Sequence, residues 1–141
     1  MREAVSTRSG QVAAVAMLLC LGGCASLQVA SCKSGEQGVI QDALYFGTGK
    51  PNGVVTQEEW NTFLASTVTP RFPQGLTVSD ASGQWRGADG AIVREASHVL
   101  TLVHPDDVAS DRAVAEIAAS YKAQFRQEGV LRVRAGACVS F

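Results

Sequence analysis

The sequence contains no G-x-S-x-G elbow, no H-E-x-x-H and no C-x-x-C. It therefore carries no local signature of serine hydrolysis, zinc proteolysis or dithiol exchange. A phosphate loop is also missing. GTGKPNG at residues 47–53 looks like one, but Leu44 stands where the first glycine of G-x-x-x-x-G-K belongs and Pro51 follows Lys50, so the stretch reads as a turn-rich loop. Histidine is scarce, with only His98 and His104. They share strand parity and precede Asp106 and Asp107, but the spacing matches no established zinc site. The aspartates read as helix caps, and no metal is expected. Neither sign of charge dominates, with twelve Lys and Arg against thirteen Asp and Glu. Such a balance argues against nucleic acid as a partner and supplies no electrostatic hold on anionic lipid. No apolar run reaches the roughly 20 residues needed to span a bilayer as a helix. There is no internal repeat.

What is present begins with a leader. Arg2 and Arg8 stand against Glu3, the apolar run VAAVAMLLCLGG follows at 12–23, and small residues close it, which is the layout of a secretory signal. LGGC at 21–24 resembles the lipobox of bacterial lipoproteins. The resemblance implies that residues 1–23 are removed and that Cys24 receives diacylglycerol and an N-acyl chain such as palmitate. Two or more chains hold a protein durably where one does not. Ala25 rather than Asp after the lipid site implies delivery to the outer membrane, facing the periplasm. An ordinary secreted protein cleaved nearby is the alternative. VASC, ending at Cys32, is a poorer box because Gln28 interrupts its apolar run. Loss of the leader removes two Arg and one Glu, leaving ten basic against twelve acidic residues.

Of four cysteines, Cys20 leaves with the leader and Cys24 takes the lipid. Cys32 and Cys138 remain, and in an oxidising compartment they are expected to pair, with two buried free thiols as the alternative.

Residues 24–40 are rich in small and polar side chains and read as a flexible tether, with order beginning near Asp42 and one domain over 41–141. DALYFG has strand character. Thr56 and Glu59 form a capping box, Val55 and Trp60 a hydrophobic staple, and Trp60, Phe63, Leu64 and Val68 recur at helical spacing, predicting a helix over 57–68. LTVSD, QWRG, AIVRE and SHVLTLVH form a long hairpin around Asp89–Gly90, bent by a bulge near Ser82 and Gly83. Val114, Ile117, Ala118, Tyr121 and Phe125 mark a second helix, with Gly129 as its terminator. VLRVRAGACVSF ends the chain as a strand. The order β, α, β, β, α, β predicts an α+β, ferredoxin-like sandwich, two helices covering one face of a four-stranded antiparallel sheet. In that topology Cys138 comes close to the start of the first strand, just downstream of Cys32.

LYFG at 44–47, EEWNTFL, TPRFPQGLTV at 69–78, GQWR at 83–86 and VLRV followed by CVSF resemble a family of small bacterial envelope proteins and lipoproteins known only as a domain of unknown function. The likeness covers nearly all of 42–141 and transfers no catalytic residue. Candidate residues come from strand parity. With Leu44 and Phe46 facing the helices, Tyr45 faces the other way; Arg132 and Arg134 are expected on the same face, with Arg71, Trp85 and Glu95 at its border. Such a face suits an anionic or aromatic ligand, a homodimer or an envelope-protein partner. The plainer alternative makes the arginines edge-strand guards and Trp85 a core residue. The expected function is a non-catalytic binding lipoprotein with no cofactor beyond its covalent lipid. The other reading is a small enzyme with a pocket at the open face or between two subunits, using Tyr45, Arg71 or His98.

Overall fold

The computed structural model describes residues 31–141, so Cys24, the expected leader and the first part of the expected tether lie outside the described residues. Strand β1 is Gln37–Gly47. It begins inside the stretch expected to be tether. Residues 37–40 lack an apolar alternation of their own but pair with Gly136–Val139 of the last strand, so tertiary pairing extends the strand. From Ile40 onward the alternation is clear: Ile40, Asp42, Leu44 and Phe46 are buried, Gln41 and Tyr45 exposed.

Two short strands follow, β2 (Gly49–Lys50) and β3 (Gly53–Val54), paired as a small hairpin. Helix α1 spans Gln57–Phe63. Thr56 accepts the Glu59 N–H at 3.2 Å while the Glu59 carboxylate accepts the Thr56 N–H at 2.8 Å, completing the capping box. Hydrogen bonds from Lys50 and then Thr56 hold the Glu59 carboxyl below its ordinary pKa. The remainder of the expected helix, Leu64–Val68, widens into a π turn, with the Thr69 N–H bonded to the Leu64 carbonyl at 2.9 Å.

Strands β4 (Thr77–Arg86) and β5 (Ile92–His104) pair one to one throughout. The expected bulge is absent: Ser82 lies opposite Ala96 and Gly83 opposite Glu95 in unbroken register. Gly83 marks a missing side chain rather than an inserted residue. Asp89–Gly90 sits in a five-residue loop, where Gly90 takes φ of 85° and the Asp89 carboxylate accepts the Ala91 N–H at 2.9 Å.

Helix α2 is Val108–Phe125, capped by Asp107, whose carboxylate accepts the Ser110 N–H at 2.7 Å. It does not run to Gly129. Arg126 turns left-handed at φ 55°, and the Gln127 N–H reaches back to the Lys122 carbonyl at 3.1 Å, a Schellman closure built without glycine. Strand β6, Leu131–Val139, completes the fold.

The sheet order is β4-β5-β1-β6, fully antiparallel, with the helices on one face: the ferredoxin-like sandwich. Between the layers, Leu44, Phe46, Leu100 and Leu102 meet Trp60 and Phe63 of α1 and Val114, Ile117, Tyr121 and Phe125 of α2. Phe46 and Tyr121 rings lie 4.7 Å apart, edge to face. Burial pushes the Tyr121 phenol pKa up, and its hydroxyl donates to the Gly47 carbonyl at 2.9 Å. Cys32 and Cys138 form a disulfide with Cα atoms 5.6 Å apart.

One charge lies in this core. The Asp42 side chain is wholly buried. Arg132 donates to it twice, Nε at 2.7 Å and Nη2 at 2.6 Å, and the His104 Nε2 lies 2.8 Å away. Arg132 also contacts Asp111 at 2.9 Å, and Arg134 pairs with Asp111 at 3.0 Å and with Asp106. Desolvation pushes the Asp42 carboxyl up, but hydrogen bonds from Arg132 and His104, with their charges, outweigh it and hold the group below 3.8.

Two outcomes are expected. Reduction of the Cys32–Cys138 bridge adds two daltons, and Cys138→Ser lowers stability by up to about 4–5 kcal/mol in urea titrations, the chain-entropy value for so long a loop. Asp42→Asn costs about 1.5–3 kcal/mol at neutral pH, because Arg132 keeps Asp111 but its two bonds to position 42 lose their charged acceptor. The Asp42 pKa is depressed in the folded state, so its contribution is complete above the ordinary value of 3.8 and fades as pH falls through the folded one. The gap between wild type and Asp42→Asn must narrow on acidification below that value; a gap independent of pH contradicts the charge assignment.

Candidate functional site

The face of the sheet away from the helices has no second layer among the described residues. Strand register sets its composition. Tyr45 lies between Val99 of β5 and Leu131 of β6, while Ala43 is opposite Val133. On β4, Trp85 is opposite Val93. Tyr45 is 40% exposed, Trp85 39%, Val133 47% and Leu131 62%. These side chains make one apolar surface.

A groove of about 430 Å³ opens at the end of this face where β1 finishes and β6 begins. Two glycines create it. Gly83 is the direct partner of Glu95 on β4, and Gly47 carries no side chain beneath the Glu95 carboxylate on β1. A Cβ on Gly47 would fall 2.3 Å from Glu95 Oε1, so any side chain there would expel the carboxylate. A Cβ on Gly83 would meet nothing within 4 Å, so that glycine leaves space rather than relieving a clash.

Glu95 is held in place by two donors. Its Oε1 accepts the Trp85 indole N–H at 3.0 Å and its Oε2 accepts the Gly49 N–H at 2.7 Å. The Gln127 amide binds the Gly49 carbonyl, and the Thr48 hydroxyl donates to the Ala96 carbonyl at 2.8 Å, fixing the loop that presents that N–H. Lys50, in the same hairpin, is committed to Glu59 at 2.5 Å. Among the described residues the Glu95 carboxylate has no cationic partner. Tyr45 and Glu95 are the titratable groups lining the groove.

The other candidates lie elsewhere. Arg132 and Arg134 are turned to the helix side: Arg132 is opposite Leu44 and Arg134 opposite Asp42, and both are drawn inward by Asp42, Asp106 and Asp111. Leu131 and Val133 take the open face in their place. Arg71 does not border the groove. It donates to the Thr67 carbonyl at 2.8 Å and to Glu116 on α2 at 3.3 Å, beside a separate cavity with Phe72 and His104. His98 is buried against the ring of Trp60, stacked at 4.5 Å, with Nδ1 2.8 Å from Asp80. Cys32, Glu36 and Cys138 form the one cluster of metal-ligating types among the described residues, and the disulfide occupies both sulfurs. Sequence reasoning missed Gly47 and Gly83, although a lone glycine inside a strand pattern is the signal for such a gap.

Several solved structures share the fold. A phage SAM lyase in complex with S-methyl-5'-thioadenosine aligns with a TM-score of 0.57 at 12% identity, over 73% of this chain and 90% of that one. CutA from Synechococcus elongatus PCC7942 aligns at 0.50 and 12% identity, over 74% and 83%. At such identities the likeness is one of architecture. No curated protein matches the sequence. The sequence profile of one family covers residues 41–141, all of the sheet-and-helix unit that carries the groove except the first four residues of β1, and this chain belongs to it: the family described as protein of unknown function (DUF3574).

Proposed function

We propose that this protein is a lipid-anchored component of the bacterial outer membrane, facing the periplasm, whose α+β domain is a non-catalytic binding module with its site in the groove beside Glu95. The observation that carries the binding site is the pair of strand glycines, Gly47 and Gly83. They open a cavity of about 430 Å³ in an uncovered apolar sheet face, within the size range of small-molecule sites. Contiguous apolar surface of this kind marks interaction sites in soluble proteins.

The groove is lined by two titratable groups, where an enzyme is expected to gather several. The phage SAM lyase, by its description, holds a small thioether nucleoside on the same fold, which supports a small-molecule site here without assigning a reaction. A second copy of the chain or an envelope protein could use the remainder of the apolar face.

The anchor rests on LGGC and the leader before it. The disulfide sets the length of the leash. With Cys32 pinned to β6, eight residue steps separate the domain from Cys24, and a fully extended chain of that length spans about 28 Å.

Labelling of cells with palmitate is expected to mark the wild-type chain and not Cys24→Ser, which leaves the membrane fraction for the soluble one. An unlabelled, soluble wild type removes the anchor. For the groove, Gly83→Leu fills the space without a backbone clash and is expected to leave the unfolding midpoint unchanged or higher. Small molecules that raise the melting temperature of wild type should fail with this variant. Hits that persist in Gly83→Leu place binding elsewhere.

A further inference from the structure

We infer that the groove takes a small organic cation, an amine or quaternary ammonium carried on an apolar body. This rests on the reading that the groove is a ligand site, and it names the class of ligand.

The first argument is charge. Glu95 is the charged group lining the groove, and its carboxylate is positioned by two neutral donors, the Trp85 indole and the Gly49 amide. Both donors fix its orientation and neither cancels its charge. A carboxylate against apolar walls attracts a cation more strongly than one in open water, because the medium around it screens less.

The second argument is the fate of the basic residues. Lys50 is bound by Glu59, Arg71 by Glu116, Arg132 by Asp42 and Asp111, and Arg134 by Asp106 and Asp111. No Lys or Arg among the described residues, these four or the other six, lines the groove. An anion entering there would meet Glu95 and no counter-charge.

The third argument is the lining itself. Trp85 bonds the carboxylate, Tyr45 lines the same groove, both are about two-fifths exposed, and Leu131 extends the apolar wall. Aromatic faces beside a carboxylate are the surroundings that favour a desolvated ammonium, since the ring quadrupole and the carboxylate attract the same charge. Gly47 keeps the carboxylate seated low on the sheet, so the space above it stays open to the ligand.

The test is a titration of the full chain in non-ionic detergent, read at the indole N–H resonance of Trp85. Trp85→Phe identifies that signal, since the chain has two tryptophans. The probes are benzyltrimethylammonium, benzyl alcohol and phenylacetate, which share a ring and differ in charge. The ammonium is expected to bind tightest and phenylacetate weakest. Glu95→Gln should weaken the ammonium about tenfold, as for loss of a charge-assisted contact, and leave benzyl alcohol unchanged. Tyr45→Leu keeps Glu95 and the apolar surface and should weaken the ammonium about threefold. If Glu95→Gln fails to fold, the order of the three probes on wild type decides. Benzyl alcohol or phenylacetate binding as tightly as the ammonium, or an ammonium affinity unmoved by Glu95→Gln, overturns the cation assignment while leaving the groove a binding site. If no probe shifts Trp85 and Gly83→Leu changes nothing, the cation assignment and the groove reading fall together.

Discussion

A single buried carboxylate decides which way the last strand faces. Asp42 lies on the helix side of β1 with no access to water, and a charge so placed is tolerated only when fully paired. The pairing comes from β6, the neighbouring strand, through Arg132, and from β5 through His104. Strand side chains alternate, so committing Arg132 to the helix side commits Leu131 and Val133 to the other. A slip of one residue would reverse every side chain of β6 and strand Asp42 in the core without its counter-ion. The apolar character of the open face is therefore a consequence of a polar requirement beneath it.

The architecture was legible because its signals are local. The capping box at Thr56, the apolar stripe of α2 and the Asp89–Gly90 turn are each written within a few residues. The errors occur where a distant partner decides. Residues 37–40 become strand because β6 pairs with them, and α2 closes at Arg126, ahead of Gly129, where the next residue, Gln127, binds the distant Gly49 carbonyl. The supposed bulge at Ser82–Gly83 failed for a related reason: a glycine in a strand can mean an extra residue or an absent side chain, and only the register opposite Glu95 separates the two.

The site was half legible. Tyr45, Trp85 and Glu95 follow from parity in β1 and in the β4–β5 hairpin, where Leu44 and Phe46 mark the inward phase plainly. The same rule applied to VLRVR chose the wrong phase, because hydrophobicity ranks Leu131 and Val133 as core and the arginines as surface. Hydropathy alone cannot see Asp42 across the strand boundary. An acid at an otherwise apolar position of one strand and an arginine diagonal to it on the same face of its neighbour, as Arg132 is to Asp42, is the pattern that would have revealed it. With the arginines moved, the face loses the positive charge that made it look suited to anions, so a one-residue error in phase changes the expected chemistry.

The two ends of β1 carry different tasks. Cys32 joins Cys138 near its first residues, while Gly47 and Tyr45 hold the groove near its last. Ten residue steps of about 3.3 Å put roughly 33 Å of sheet between them. With the lipid anchor proposed above, the leash enters at the disulfide end and the groove lies at the far end of the sheet. The disulfide then does more than restrain the unfolded chain. It stops tension on the leash from peeling Gln37–Ile40 off β6, since force applied at Cys24 passes through sulfur to Cys138, opposite Gly38, and loads the two paired strands together. With that anchor, the tether joins the domain at the end of the sheet opposite the groove.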